Sequence, residues 1–170
     1  MIRKEGLRPL LFGRIMIALK EVQNLIDEAI EGTSIFLISC EIKPGNQIKV
    51  LIDNEKDTSI EDCMKVSRGI EHNLDREAED FELSVSSPGL TEPFAVHKQY
   101  VKNVGRRVTV KTLEGKKQEG LLEEVTEEYI RLTDKVKERI EGRKSKEWVN
   151  KEYLFNFEEI KETKVVISFK

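Results

Sequence analysis

Hydrophobic positions along the chain follow two different periods, and each switch between them marks an element. Val22, Leu25, Ile26, Ala29 and Ile30 recur at helical spacing, which predicts one apolar stripe of a helix that stops near Gly32. Thr33 to Ile42 is an alternating, β-branched-rich run, Pro44-Gly45-Asn46 is a turn signal, and Ile48, Val50 and Ile52 alternate again, so a hairpin is expected. Ser59 precedes Asp62 by three residues, close to a capping box with Asp in place of the usual Glu. Cys63, Val66, Ile70, Leu74 and Ala78 then form the stripe of a second helix, with Cys63 read as a core residue. Phe81, Leu83 and Val85 face one way and Glu82 and Ser84 the other, a half-buried strand that ends at Ser86-Ser87-Pro88-Gly89. Pro88 removes a backbone donor and pushes Ser87 into an extended conformation. The order αββαβ makes a complete small α+β domain, two helices on one face of three strands.

After Pro88 the pattern becomes all-β. A short helical segment, Ala95–Asn103, leads into expected strands at Arg107–Thr112, Gly120–Val125, Tyr129–Thr133, Tyr153–Phe157 and Val165–Phe169. Five short strands in about 65 residues predict a small SH3-like or Sm-like β-barrel. Between the third and fourth strands lies an expected long loop, Lys135–Lys151, with 7 Lys and Arg against 3 Asp and Glu and the only tryptophan, Trp148. Such cations neutralise phosphates and an aromatic face stacks on bases, so Lys135, Lys137, Arg139, Arg143, Lys144 and Lys146 are candidate RNA contacts. Trp148 itself is expected to sit partly buried at the base of this segment.

Charge sharpens the division. Residues 16–88 carry 7 basic against 16 acidic side chains, a net of −9, while residues 89–170 carry 18 against 15, a net of +3. The expected organisation is therefore a basic leader at 1–15, an acidic α/β domain at 16–88, a linker at 89–94 and a barrel domain at 95–170. The leader reads as a disordered arm or as residues upstream of a true start at Met16. A composition of 38 % hydrophobic and 36 % charged residues is that of a globular chain, with no apolar run of membrane-spanning length and no signal peptide. Cys40 and Cys63 build neither a disulfide framework nor a metal cluster, which fits a reducing cytoplasm.

Catalytic signatures are missing: there is no P-loop, dinucleotide fingerprint, metal-ligand spacing or nucleophile elbow around Ser86-Ser87. His72 and His97 read as surface residues, and Asp53, Glu55 and Asp57 as a polar hairpin exit rather than a cation site. A non-enzymatic chain without cofactor or metal is expected. An Sm-like RNA-binding regulator is one reading of the barrel and its basic segment, and ring formation would mark it.

A resemblance adds a second line of argument. Asp57-Thr58-Ser59-Ile60-Glu61-Asp62-Cys63-Met64-Lys65-Val66-Ser67-Arg68, then Leu74-Asp75, then Ser84-Val85-Ser86-Ser87-Pro88-Gly89-Leu90 resembles the bacterial ribosome maturation factor RimP family. That family has an Asp-Cys pair and a Val-Ser-Arg triplet on a helix, and a following strand that ends in Val-Ser-Ser-Pro-Gly-Leu. Asp53 matches an acidic family position, and Phe157-Glu158-Glu159-Ile160 with Lys164-Val165-Val166-Ile167 resemble the closing turn and strand. Thr91-Glu92-Pro93 departs from the family's usual Asp-Arg-Pro, so a basic linker position is acidic here. The resemblance implies Asp53, Asp62, Cys63, Ser67, Arg68, Ser86, Ser87, Pro88 and Gly89 as motif positions. It also implies a KH-like first domain, an SH3-like second one, and a cytoplasmic, monomeric assembly factor of the immature small (30S) ribosomal subunit. The implied partners are 16S rRNA and the ribosomal protein of the decoding region. No Gly-x-x-Gly occurs, so the first domain lacks the backbone clamp of KH modules, and its acidity suits basic protein better than phosphate.

Overall fold

The computed structural model describes residues 17–167, and the chain divides into two compact units at the Pro88–Gly89 bond. The basic leader and the end of the last expected strand lie outside the described residues.

The first unit contains α1 (Leu19–Ile30), β1 (Ile35–Lys43), β2 (Gln47–Asn54), α2 (Ile60–Glu71) and β3 (Glu82–Ser86). α1 buries Val22 and Ile26 completely, and the Thr33 hydroxyl donates to the Ile30 carbonyl at 2.6 Å where the helix stops. Positive φ at Gly45 and Asn46 turns β1 back onto β2, conformations that glycine and asparagine adopt most readily. β2 is antiparallel to β1 and parallel to β3, giving the order β1-β2-β3. A parallel pair needs a crossover, which α2 supplies. Val22, Ile26, Val66 and Ile70 from the helices join Ile48, Val50, Ile52 and Phe81 in one core. The two helices approach closely at Gly69, where an added Cβ would lie 2.7 Å from the Ala29 Cβ.

α2 stops at Glu71, one turn after Val66 and well short of the predicted Ala78. Leu74 still packs on the core but Ala78 is exposed. Asp75 explains the early end: its Oδ1 accepts from the Glu77 and Ala78 amides at 2.9 and 3.3 Å, an alternative to helical bonding that short acidic side chains favour.

The second unit has α3 (His97–Lys102), β4 (Arg107–Thr112), β5 (Lys117–Val125), β6 (Tyr129–Arg139), β7 (Lys146–Asn156), a 3-10 turn at Phe157–Glu159 and β8 (Ile160–Val165). α3 begins late because the Gln99 side chain accepts from the Ala95 and Val96 amides. β4 to β7 form an antiparallel meander and β8 returns beside β4, giving the order β7-β6-β5-β4-β8. Val108, Val110, Leu122, Ile130 and Leu132 form its core, closed by Tyr100. Three expectations are corrected. Among the described residues no pairing joins β7 to β8, so no closed barrel is found. Among the described residues the last strand is Ile160–Val165, which starts five residues before the expected Val165, with polar Thr163 as its fully buried position, held by the Tyr100 hydroxyl at 2.8 Å. The expected loop at 135–151 is instead mostly strand.

Candidate nucleic-acid interface

β6 and β7 pair without interruption from Tyr129↔Asn156 to Arg139↔Lys146, leaving only Ile140–Ser145 as a turn. β5 covers β6 no further than Thr133, so from Asp134 outward the ribbon is two-stranded. Because side chains alternate along a strand, this pairing sorts the charged residues by face. One face carries Lys135 opposite Asn150, Lys137 opposite Trp148, and Arg139 opposite Lys146. The other carries Asp134 opposite Lys151, Val136 opposite Val149, and Glu138 opposite Glu147.

Ion pairing follows the same division. Lys151 pairs with Glu138, and Arg143 with Glu147. The Glu138 carboxylate beside Lys151 pushes that ammonium above its ordinary range. Among the described residues, Lys135, Lys137, Arg139, Lys144 and Lys146 have no carboxylate partner. Of the six predicted contacts the ribbon therefore gathers Lys135, Lys137, Arg139 and Lys146 on one face, puts Lys144 in the turn, and uses Arg143 internally. Trp148 is 67 % exposed rather than partly buried, with the Lys137 ammonium 5.5 Å from its ring centroid. It lies near the tip, beyond the reach of any core, which is why nothing covers it. The signal available in the sequence was the two-residue spacing of Lys135, Lys137 and Arg139 and of Lys146, Trp148 and Asn150.

A groove of about 1150 Å³ runs along this face toward β4, with Arg107, Thr133, Lys135, Trp148 and Asn150 among its walls. Arg107 is occupied: it donates to Glu119 at 3.0 Å and Asp134 at 3.1 Å, and those carboxylates, Asp134 first, raise its pKa. The arrangement offers cations, a flat aromatic ring and a polar groove, which is equipment for binding.

The motif positions of the first unit have a different character. Asp53 ends β2 almost fully buried and accepts from the Asn54 amide at 2.8 Å and the Thr58 hydroxyl at 2.7 Å. Asp62 Oδ2 accepts from the Ser59 amide at 2.9 Å and the Asn54 amide group at 3.1 Å, while the Ser59 hydroxyl accepts from the Asp62 amide. The Ser59 backbone bond, more than any other contact, holds the Asp62 carboxyl below its usual range. Cys63 packs against the core, and burial, assisted by the Asp62 charge, raises its thiol pKa; burial does the same to Cys40. Ser67 is half-buried and Arg68 exposed on α2. Ser86 pairs with Leu51 at the end of the parallel ladder, so Asp53, Asp62 and the Ser86-Ser87-Pro88-Gly89 exit all stand at that end of the sheet. Their bonds fix a loop and a helix start. Among the described residues, no group of three or more His, Cys, Asp or Glu could hold a metal ion. His97 donates through Nε2 to the Thr126 carbonyl at 2.9 Å, and His72 caps α2. Among the described residues no helix is long and apolar enough to cross a membrane.

Two independent features, an αββαβ unit with polar bonds at its sheet end and an antiparallel unit with a basic ribbon, define a two-unit α+β protein. Residues 25–91 match the family model of the RimP N-terminal domain. A protein of Christiangramia forsetii named ribosome maturation factor RimP is 45 % identical over 151 residues, covering 88 % of this chain and 98 % of that relative. Its namesakes in Flavobacterium psychrophilum and Porphyromonas gingivalis are 35 % and 32 % identical, covering 90 % and 89 % of this chain and all of theirs. The chain belongs to the RimP family of ribosome maturation factors, which is not a family of enzymes.

Proposed function

We propose that this protein acts in the cytoplasm as a monomeric assembly factor of the immature small ribosomal subunit, and that the β6–β7 ribbon is its 16S rRNA contact. One observation carries the reading: Lys135, Lys137, Arg139 and Lys146 surround an exposed Trp148 on a single face, with no carboxylate among the described residues paired to them. Lys144 at the tip extends the same contact, and Arg143 takes a lesser part because Glu147 holds it. The acidic first unit, net −9 over residues 16–88, faces a basic ribosomal protein of the decoding region. Asp53, Asp62, Cys63, Ser67, Arg68 and Ser86-Ser87-Pro88-Gly89 keep that unit and its exit in shape. The αββαβ order supports a KH-like description of the first unit, and the return of β8 beside β4 an SH3-like one of the second. The protein would bind a partly folded region and hold it until it anneals, without chemistry.

Sucrose-gradient sedimentation of lysate at low and moderate salt tests this. The native protein should travel with free small subunits and not with whole ribosomes, and should be released as salt rises. Reversing charge at Lys137, Arg139 and Lys146 should abolish that comigration. Unchanged comigration and salt response of the variant would refute the rRNA contact.

A further inference from the structure

We propose that the ribbon face takes single-stranded rather than duplex RNA, with an unpaired base stacked on Trp148 and its edge met by the Asn150 amide. This rests on the reading of the basic face as an RNA contact, and specifies the form of RNA it selects.

Cations alone serve any nucleic acid, whereas an open aromatic ring does not. In the interior of a duplex every base face is already stacked on its neighbours, and the A-form major groove is too deep and narrow for side chains to read. An indole therefore gains nothing from a duplex, but it can stack on an unpaired base of any identity. Trp148 is 67 % exposed although Lys137 lies over its ring at 5.5 Å, so most of the indole stays open to a ligand. Asn150 is two residues further along the same strand and face, about 7 Å away. Its exposed amide has no hydrogen-bond partner among the described residues, and one amide can both donate to and accept from a base edge.

The surroundings orient the strand. Thr133 and Glu152 lie deeper along the groove, and the Thr133 hydroxyl donates to Glu123 at 3.0 Å, so carboxylates line the sheet side. Lys135 and Lys137 stand on β6 level with Asn150 and Trp148 on β7, and Arg139 opposite Lys146 lies one step further out. Phosphates thus follow the β6 cations, and bases lie over Trp148 and Asn150 on β7. At about 1150 Å³ the groove exceeds the size of most single small-molecule sites, and suits a length of polymer. An acidic peptide would satisfy the same cations but would leave Trp148 and Asn150 unused.

Trp148 is the only tryptophan in the chain, so its fluorescence reports on this face directly. Titration of the full chain with an oligouridylate of about eight nucleotides should quench it, and a blunt RNA duplex of about a dozen base pairs should leave it nearly unchanged. With labelled oligouridylate followed by anisotropy, Trp148→Ala should weaken binding roughly tenfold, and Trp148→Phe by no more than about threefold. Lys137→Glu with Arg139→Glu should weaken single strand and duplex alike. If Trp148→Ala binds as the native chain does while the charge variant is weak, stacking is refuted and the phosphate contact stands. If the charge variant also binds normally, the basic-face reading fails as well. Equal quenching by the duplex, or by a polyglutamate peptide of matched charge, overturns the single-strand proposal.

Discussion

Gly69→Ala sets two known effects against each other at one atom. Alanine in place of glycine inside a helix ordinarily stabilises by about 1 kcal/mol. At Gly69 the new Cβ would stand 2.7 Å from the Cβ of Ala29 on α1. Carbon atoms pack at about 3.5–4.0 Å, so the helices must move apart by about 1 Å. Neither Cβ can rotate away, because both are fixed to backbone. The separation loosens the contact of Val22 and Ile26 with Val66 and Ile70, all fully buried. A gap of that size forfeits a quarter to a half of each dispersion well, and overpacking generally costs about 1–3 kcal/mol. Set against the helical gain of about 1 kcal/mol, the expected net result is a loss of up to about 2 kcal/mol, or a fall in Tm of up to about 10 °C for a unit of this size. Far-UV circular dichroism is the assay, since α1 and α2 have 12 residues each and α3 only 6, while Trp148 lies in the other unit. Ala29→Gly in the same chain should restore room, so the double variant should be less damaged than the two single losses added together. A Gly69→Ala protein more stable than the native chain by the full helical gain of about 1 kcal/mol would refute the close-approach argument.

Tyr100→Phe leaves the buried Thr163 hydroxyl without its donor and should cost about 1–2 kcal/mol, read as faster native-state hydrogen exchange of the β4 amides; unmoved protection would refute it. Asp62→Ala removes the capping box and should cost about 1 kcal/mol near neutral pH. The folded Asp62 pKa is below the 3.8 of an unperturbed carboxyl, so its contribution is present above that pH and is lost as pH falls through the folded value. Native and variant stabilities should therefore draw together as pH falls below the ordinary carboxylate range, and a gap that does not narrow with acid would contradict the assignment. Glu138→Gln with Glu147→Gln frees Lys151 and Arg143, and should steepen the salt slope of single-strand RNA binding by up to about 1.4; an unchanged slope would show that neither cation reaches phosphate.

The elements that were legible are those with one buried face. The stripe from Val22 to Ile30, the alternation of Ile48, Val50 and Ile52, and the Ser59–Asp62 box all have local chemistry that agrees with the fold. The ribbon was illegible because beyond Thr133 neither face is covered, and an alternation of Lys with Val or Glu carries almost no hydrophobic signal. β8 was misplaced because its inward position is Thr163, whose burial depends on a hydroxyl 63 residues away. The end of α2 was missed because Asp75 competes for backbone donors, a property of one side chain rather than of a period. At the candidate site the residue types were visible, but which of them share a face was not, since that is set by pairing across the strands.

A two-stranded ribbon without a core beneath it is marginal in water, and this one is rich in like charges. Glu138 faces Glu147 directly, a pairing that destabilises a sheet unless it is relieved. Lys151 and Arg143 relieve it, and the Lys151–Glu138 pair reaches across the step occupied by Val136 and Val149. The carboxylates are thereby consumed on one face, and the cations of the opposite face have no carboxylate partner among the described residues. Net charge conceals this. The whole chain is −3 and residues 89–170 only +3, values that by themselves promise little affinity for phosphate. Yet the ribbon runs six residues from Asp134 to Arg139, about 20 Å, whereas fields are screened within about 8 Å at physiological ionic strength. A phosphate at the tip therefore senses Lys137, Arg139, Lys144 and Lys146 against the single turn carboxylate Glu141, and hardly at all the carboxylates Glu119 and Glu123 on β5. The placement of the acids, more than the number of bases, makes this face positive.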